Sequence, residues 1–320
     1  MTRLLHIGIA SLCAKPGDIA GNIAQIQWAA QQAAHVGCDL LLTPEMSATG
    51  YGGYPEVVAC AEVAGNGPIY THLATIAHQM QIVLTAGFVE QHVNQRYLAH
   101  YVVYPDGRFV VQRKNRVTPR EYPLDAAVPL YFDESEEIGH VHASDANWQF
   151  FMIKDVRCGI VICADLGVKQ IHTYFQQQQV ELMLLPTGAG GTRNERMLTT
   201  DLLDPAGIDN YFDAMKWACF PGDGIKECVR YRRALAAVNM CGHDGQHFYH
   251  GGQGSIIDTF GDVHALIAGI PNLDRQRPRF AHAQIDFDQP GSRAPAGSGR
   301  PPSGSPRAAA CRPDGPSSHS

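Results

Sequence analysis

The sequence predicts an α/β protein organised as an α-β-β-α four-layer sandwich, in which two mixed β-sheets pack face to face. Apolar runs of strand length alternate with helical patterns along residues 1–288. Two β-α-β units of similar length occur at 4–44 and 156–186, and their second strands end in the similar segments DLLLTP and ELMLLP. Because such a unit places its two strands in one sheet, two units predict two sheets related by a pseudo-twofold axis, with helices on the outer faces.

The elements of the first half follow from their hydrophobic period. A continuous apolar run predicts a strand, whereas apolar residues three or four positions apart predict a helix. The first helical pattern ends at Gly37, a residue type common at helix C-termini. The turn Pro105-Asp106-Gly107 predicts a hairpin. We therefore expect helices at 18–36 and 69–80, and strands at 4–12, 39–43, 82–89, 97–104 and 108–112.

The second half repeats this alternation. A basic segment predicts a helix that leads directly into a strand, and a Gly-Asp turn at 261–262 predicts a second hairpin. Residues that follow strands in such a fold lie at the carboxyl edge of a sheet, where α/β proteins build their sites. We expect helices at 171–179 and 225–235, and strands at 148–153, 156–163, 181–185, 236–240, 255–259, 263–267 and 280–287.

Composition divides the chain near residue 288. The last 32 residues contain seven Pro, five Gly and seven Ser, and no Ile, Leu, Val, Met, Phe, Tyr or Trp. Such a segment cannot bury enough apolar surface to offset the entropy lost on ordering. The sequence therefore predicts one folded domain over residues 1–288 and a disordered Pro/Gly/Ser-rich tail over residues 289–320.

Charge and cysteine usage narrow the partners and the compartment. The chain has 25 basic and 31 acidic residues, which argues against nucleic acid as a partner. No apolar run is long enough to predict a membrane span. The nine cysteines form no C-x-x-C pair, so a reducing, cytoplasmic location is favoured over a disulfide framework. A metal site at Cys241, His243, His247 and His250 is the less favoured interpretation, because their spacing is irregular.

Three residues at predicted strand ends are candidates for chemistry. Glu45 follows a buried strand, where a desolvated carboxylate is a usable general base, although a turn or helix-capping glutamate fits the same position. Lys114 leaves a hairpin strand and can hold a developing oxyanion, although spacing alone favours a solvated lysine. Cys163 ends an apolar strand before a helix-forming stretch, an elbow that exposes a nucleophile. A buried structural cysteine is the alternative for Cys163.

Cys158 is the contrasting cysteine. It lies five residues before Cys163 and in the middle of the same predicted strand. Because side chains alternate along a strand, this spacing predicts that Cys158 points to the opposite face. We interpret Cys158 as a structural residue.

These segments together resemble the carbon–nitrogen hydrolase (nitrilase-like) superfamily. The motifs are PEMSATGY at 44–51, an Arg-Lys pair at 113–114, and GIVICAD at 159–165, followed in order by an RRA…AAVN segment at 232–239 and a glycine-rich hairpin at 251–263. The resemblance implies the α-β-β-α fold, a homodimer or larger homo-oligomer, and a small-molecule amide as substrate. It implies no cofactor and no metal.

The resemblance also implies roles for individual residues. Cys163 would be the nucleophile, Glu45 the general base and Lys114 the oxyanion-stabilising cation, while Glu121 matches the position of the family's second, orienting glutamate. Asp165 resembles the residue of amidase-type members, so we expect hydrolysis of a small amide through a cysteine thioester, with release of ammonia or an amine. The alternatives are a nitrilase or N-acyltransferase that uses the same triad, or a catalytically silent binding protein.

Overall fold

The computed structural model describes residues 3–116, 148–192, 222–245, 248–268 and 277–288. Glu121, His247 and the predicted tail at 289–320 lie outside the described residues. In the described ranges the helices are α1 (Ile19–His35), α2 (Pro55–Val58), α3 (Pro68–Met80), α4 (Lys169–Gln177) and α5 (Gly222–Tyr231). Not one of these five helices has the length and the apolar character needed to cross a lipid bilayer.

The first sheet contains six strands and has a parallel centre. The strands are β1 (Leu4–Ser11), β2 (Leu40–Leu42), β3 (Val83–His92), β4 (Gln95–Val103), β5 (Phe109–Arg113) and β15 (Arg279–Asp286). Their order is β15-β1-β2-β3-β4-β5. β1 and β3 flank β2 in parallel, while the remaining pairs are antiparallel, so the sheet is mixed as predicted.

The second sheet has the same number of strands and the same kind of centre. The strands are β6 (Phe150–Ile153), β7 (Val156–Ile160), β8 (Leu182–Thr187), β10 (Ala234–Asn239), β13 (Gly254–Ile257) and β14 (Val263–Ile267). Their order is β14-β13-β10-β8-β7-β6, with β8 parallel to both β7 and β10. The predicted units β1-α1-β2 and β7-α4-β8 are thus each a pair of parallel neighbours, one in each sheet.

Three apolar layers hold the elements together and confirm the four-layer sandwich. The inner layer joins the facing sides of the two sheets, with Ile7 and Leu40 from the first sheet and Ile160 and Leu184 from the second in one cluster. A second cluster packs α1 and α3 on the outside of the first sheet, and a third packs α4 and α5 on the second. Each fully buried aliphatic side chain stabilises the fold by about 1.5–3 kcal/mol.

Most predicted elements are present within a few residues of their expected bounds, but β7 ends earlier than expected. The apolar run continues to Cys163, yet the strand ends at Ile160 and a 3₁₀ turn begins at Cys163. Side chains still alternate through Ile162, since Ile160 and Ile162 pack in the inner layer and Val161 in the outer cluster, and the turn ends this alternation at Cys163. Cys158 and Cys163 both pack against the inner layer between the sheets, so the prediction that they point to opposite faces is wrong.

A third, small sheet and the short helix α2 are absent from the predictions. The sheet contains β9 (Gly190–Thr192), β11 (Cys241–His243) and β12 (Phe248–Gly251), in the order β11-β12-β9. Its strands have only three or four residues and contain glycines, so they have no readable hydrophobic period. This sheet follows β8 and β10 in the chain and therefore lies at the carboxyl edge of the second sheet.

Candidate active site

Glu45 lies in a tight turn directly after β2, and the turn is fixed by buried hydroxyl groups. The Thr43 hydroxyl donates to the Thr85 carbonyl at 2.7 Å and lies 2.7 Å from the Ser47 hydroxyl. Ser47 Oγ in turn accepts the Gly87 N–H at 3.2 Å. Glu45 itself is only 1% exposed. The small polar residues around Glu45 therefore attach its turn to the neighbouring strand β3.

Close backbone contact between this turn and β3 requires a glycine. Met46 has a positive φ of 51°, and the Ala48 N–H donates to the Gly87 carbonyl at 2.9 Å. A Cβ atom at Gly87 would lie 2.0 Å from the Met46 backbone nitrogen. Since neither backbone can give way without moving a strand, only glycine fits there. The absence of a side chain at Gly87 thus allows the Glu45 turn to pack directly against β3.

Lys114 is buried against Glu45 rather than solvated. Its Nζ donates to Glu45 Oε1 at 2.7 Å, and the two side chains are 0% and 1% exposed. The Lys114 N–H donates to the Leu98 carbonyl at 2.7 Å, which continues the β4–β5 pairing by one residue. The hairpin strand therefore delivers the lysine to the carboxylate, although the two residues are 69 positions apart.

Glu45 receives a second hydrogen bond that the sequence did not indicate. The Gly188 N–H, just after β8, donates to Glu45 Oε2 at 2.8 Å. The Gly188 carbonyl lies 2.9 Å from His250 Nδ1 on β12. Gly188 and His250 are therefore positioning residues that sequence reasoning missed. The pseudo-twofold relation could have indicated Gly188, because Glu45 and Gly188 each follow closely on the second strand of a β-α-β unit.

Cys163 begins the 3₁₀ turn at the end of the β7 segment. It has a positive φ of 49°, a conformation uncommon for residues other than glycine. Val161, two residues earlier, still pairs with Leu184 of β8 at 2.9 Å. Cys163 is partly exposed, whereas Cys158 is buried. The change of backbone direction thus gives one of these two cysteines access to solvent, and strained backbone of this kind is found at nucleophiles.

Asp165 connects the lysine segment with the cysteine segment. Its carboxylate accepts the backbone N–H groups of Asn115 at 3.0 Å and Arg116 at 2.6 Å. Burial raises the pKa of Asp165 to about 6, although the charge of Lys114 and these two N–H groups act in the opposite direction. These two hydrogen bonds attach the segment that follows Lys114 to Asp165, which lies two residues after Cys163. The sequence indicated Asp165 only through its resemblance to amidases.

The structure thus brings together the segments that carry three of the four predicted site residues. Glu45 and Lys114 are in contact, and Asp165 links the Lys114 segment to the turn of Cys163. Glu121 lies outside the described residues. The arrangement offers a buried carboxylate, a buried ammonium group and a partly exposed thiol at the carboxyl ends of strands.

The residues considered for a metal have separate contacts. His250 lies against Gly188, and the His243 ring contacts the Tyr249 ring in a tilted arrangement with centroids 4.4 Å apart. Cys241 contacts Cys13. In the ranges that the structure covers, no three His, Cys, Asp or Glu side chains are grouped as metal ligands.

Comparisons with known proteins agree with this architecture. Residues 6–202 match the sequence profile of the family described as Carbon-nitrogen hydrolase. A protein of Pseudomonas protegens named "Hydrolase in pqqF 5'region" is 25% identical over 282 residues, which are 86% of this chain and 84% of that protein. A glutamine-dependent NAD(+) synthetase of Synechocystis sp. is 29% identical over 167 residues, which are 51% of this chain and 28% of the synthetase.

A solved structure extends the comparison to most of the described fold. An amidase from Nesterenkonia sp. is similar with a TM-score of 0.65 and 18% identity, over 89% of this chain and 91% of the amidase. A variant of the amidase from Nesterenkonia sp. AN1 has been solved in complex with butyramide, again with a TM-score of 0.65. At this identity the structural similarity concerns the fold.

Proposed function

Because the chain belongs to the carbon–nitrogen hydrolase family, we propose that it hydrolyses the carbon–nitrogen bond of a small amide through a thioester on Cys163. The observation that carries the proposal is the buried contact between Lys114 Nζ and Glu45 Oε1 at 2.7 Å. Removing two opposite charges from water is costly, and their attraction often does not offset this cost, so a buried ion pair is weak evidence for a purely stabilising role. Their place at strand ends, in a segment attached to the turn of Cys163, supports a catalytic purpose.

In the proposed first step, Glu45 accepts the thiol proton as the Cys163 sulfur attacks the amide carbon. Lys114 and the backbone N–H that follows Cys163 stabilise the oxyanion of the tetrahedral intermediate. Glu45 then donates its proton to the leaving nitrogen, and ammonia or an amine departs. The product of this step is a thioester between Cys163 and the acyl group.

In the second step, Glu45 acts as a base toward water. The activated water attacks the thioester carbon, the oxyanion is held as before, and Cys163 leaves as the thiolate, which regains its proton from Glu45. A carboxylic acid is released and the enzyme returns to its initial state. Hydrogen bonds from Lys114 and the Gly188 N–H hold the carboxylate of Glu45 in place during both steps.

The compared proteins support an amide rather than a nitrile as substrate. One relative is named for its dependence on glutamine, whose side chain is a primary amide. The amidase with the similar fold has been solved with butyramide, a short aliphatic primary amide. We therefore propose a small primary amide as the substrate class. We also propose that the protein forms a homodimer or larger homo-oligomer and that it is cytoplasmic. Sedimentation velocity tests the oligomeric state.

Ammonia release from a panel of small aliphatic amides tests the reaction. With hydroxylamine present, an acyl-enzyme intermediate is trapped as a hydroxamate, whereas a silent binding protein gives neither product. Matching nitriles in the same panel distinguish a nitrilase, and transfer to an added amine distinguishes an acyltransferase. Turnover of amides by water, with hydroxamate formation, is the expected result.

Two cysteine variants form a matched pair for the nucleophile. Cys163→Ser is expected to abolish turnover, because oxygen is a far weaker nucleophile than the thiolate. The Cys158→Ala variant is expected to retain turnover, because Cys158 is buried in the middle of a strand. Turnover by the Cys163→Ser variant near the level of the parent would show that the thiol mechanism is wrong.

A further inference from the structure

A second pair of cysteines lies outside the proposed active site. Cys13 follows β1 at the end of the first sheet, and Cys241 begins β11 in the small sheet. Their sulfur atoms are 2.6 Å apart, although the residues are separated by 228 positions. This distance is shorter than a van der Waals contact between two sulfur atoms. The structure contains both residues as thiols.

The backbone on both sides holds the two sulfur atoms together. The Cys241 N–H donates to the Leu12 carbonyl at 2.9 Å, which joins the two segments next to the thiols. The Gln25 side chain of α1 accepts the Cys13 N–H at 2.9 Å and donates to its carbonyl at 3.1 Å. Cys13 is therefore fixed from one side by α1 and from the other by β11, and its approach to Cys241 follows from the packing.

We propose that Cys13 and Cys241 are a modification site, at which a reversible disulfide forms between the first sheet and the small three-stranded sheet. The disulfide would link the segment after β1 covalently to the first residue of β11, without involving Cys163. A single reversible disulfide of this kind is compatible with a protein of a reducing compartment, where disulfides are transient or redox-sensing.

Electrostatics give the two sulfur atoms different roles. The hydrogen bond with the Cys241 thiol, together with the positive charges of Lys15 and Arg279, lowers the pKa of Cys13. The hydrogen bond with Cys13 and burial raise the pKa of Cys241. Cys13 is also partly exposed, whereas Cys241 is buried. Cys13 is thus the thiolate that reacts first, and Cys241 is the thiol that resolves the intermediate.

The oxidant is a low-molecular-weight disulfide such as oxidised glutathione. The Cys13 thiolate attacks one sulfur of the oxidant, forming a mixed disulfide and releasing one glutathione thiolate. Cys241 then loses its proton and attacks Cys13, forming the Cys13–Cys241 bond and releasing the second glutathione as a thiol. Two protein thiols are oxidised and one glutathione disulfide is reduced to two thiols, so atoms and electrons balance.

The disulfide would stabilise the fold. A crosslink across 228 positions removes much of the conformational freedom of the unfolded chain. The sulfur atoms are already adjacent, so the native structure changes little when the bond forms. We therefore expect Tm to rise by about 5 °C or more on oxidation, and amide turnover to be retained.

Non-reducing peptide mapping of the full chain tests the site. The protein is incubated with oxidised glutathione, blocked with iodoacetamide and digested with trypsin. The expected product joins the peptide that contains Cys13 to the peptide that contains Cys241, and dithiothreitol separates them. Thermal unfolding of the oxidised and reduced protein is measured in parallel and needs no variant.

Variants locate the effect. Cys13→Ser and Cys241→Ser are each expected to lose the joined peptide and the shift in Tm. Cys38→Ser is the control, because Cys38 is also buried near α1 and burial raises its pKa to about 12. This variant should keep both effects. Absence of the joined peptide from the oxidised wild-type protein, or an equal Tm in both redox states, would overturn the proposal.

Discussion

At the scale of single residues, the Lys114–Glu45 pair shows how far a local pattern can mislead. A lysine at the end of a hairpin strand is most often solvated, and the protein has other lysines of that kind. Lys154 forms an ion pair with Asp39 at 2.7 Å, but its side chain is 57% exposed. The side chain of Lys114 is 0% exposed in a contact of the same length. Burial, and not the contact distance, separates the candidate catalytic lysine from an ordinary one.

Lys114→Met tests this difference. The variant leaves the carboxylate of Glu45 buried without its cation, which costs about 3–5 kcal/mol of stability. It also removes the proposed oxyanion donor, so kcat is expected to fall by about 10²–10³-fold. Urea unfolding and ammonia release measure the two effects. Lys154→Met is the control, with a change in stability within about 1 kcal/mol and unchanged turnover. Equal effects of the two substitutions would contradict the assignment of Lys114.

Asp165 makes a prediction about pH at the same scale. Its pKa is raised to about 6 by burial in the folded state, against about 3.9 in the unfolded chain. Between these values the folded state binds more protons than the unfolded state. The contribution of Asp165 to the free energy of unfolding therefore falls as pH rises from about 4 to about 6, by up to about 3 kcal/mol, and is constant above.

Urea unfolding between pH 4 and pH 8 measures this contribution. Asp165→Asn removes the titrating group. The free energy of unfolding of the wild type should therefore fall relative to that of the variant as pH rises from about 4 to about 6. Asp106→Asn is a suitable control, because Asp106 lies in the exposed hairpin turn with a side chain that is 58% exposed. Parallel curves for wild type and Asp165→Asn would argue against the raised pKa.

At the scale of elements, the ends of strands carry the site, and their geometry is decided by neighbours. β7 ends at Ile160 because the chain turns at Cys163, where φ becomes positive. The turn after β2 is held against β3 through Gly87. After β7 the apolar run continues beyond the observed strand, so the hydrophobic period alone cannot locate the turn at Cys163. The position of the chemistry depends on contacts between elements.

Gly87→Ala tests the contact between the Glu45 turn and β3. The added Cβ would lie 2.0 Å from a backbone nitrogen, so the turn must move, at a cost of about 1–3 kcal/mol. Because a small displacement of a catalytic group lowers the rate about 10²-fold, turnover should fall as well. Gly37→Ala is the control, because Gly37 has a positive φ but open space around it.

The Gly37→Ala control separates the effect of backbone strain on stability from the effect of moving the Glu45 turn. Gly37→Ala is expected to cost about 1 kcal/mol through its backbone conformation, with kcat unchanged. Thermal unfolding and steady-state kinetics of both variants provide the comparison. Normal kcat in the Gly87→Ala variant would mean that the turn tolerates the shift and that Gly87 does not position Glu45.

At the scale of the whole molecule, the fold is closed by long-range contacts between its first and last described strands. β15 pairs with β1 over eight residues, and the Arg3 side chain forms ion pairs with Asp288 and with Glu181, the residue directly before β8 of the second sheet. The described fold thus ends with a strand that is fully used in pairing. Residues 289–320 contain no Ile, Leu, Val, Met, Phe, Tyr or Trp, so this segment has no large apolar side chain to add to this core.

Removal of residues 289–320 is therefore expected to leave folding intact. The truncated chain should unfold within about 2 °C of the full chain, since residues 289–320 have no large apolar side chain to bury. Differential scanning calorimetry of both chains measures the shift, and sedimentation velocity shows whether assembly changes independently. A drop in Tm by many degrees would show that the tail contributes to the folded domain.

The sequence by itself determined the fold class, the order of most elements and the residues that follow the strands. These features depend on the local hydrophobic period and on turn residues, which act over a few positions. The two β-α-β units predicted the two sheets, and motif order indicated the family. Glu45, Lys114 and Cys163 became candidates in this way, each with an ordinary structural alternative that the sequence could not exclude.

Only the tertiary structure decided which of these residues meet and what supports them. The Lys114–Glu45 bond joins positions 69 apart, the Gly188–Glu45 bond joins positions 143 apart, and the Cys13–Cys241 contact joins positions 228 apart. Such contacts arise from the pairing of distant strands within a sheet and from the packing of one sheet on another, and their geometry depends on every element between them. No local period encodes that packing, so the burial of the ion pair, the roles of Gly188 and Asp165, and the cysteine pair became visible only in the folded chain.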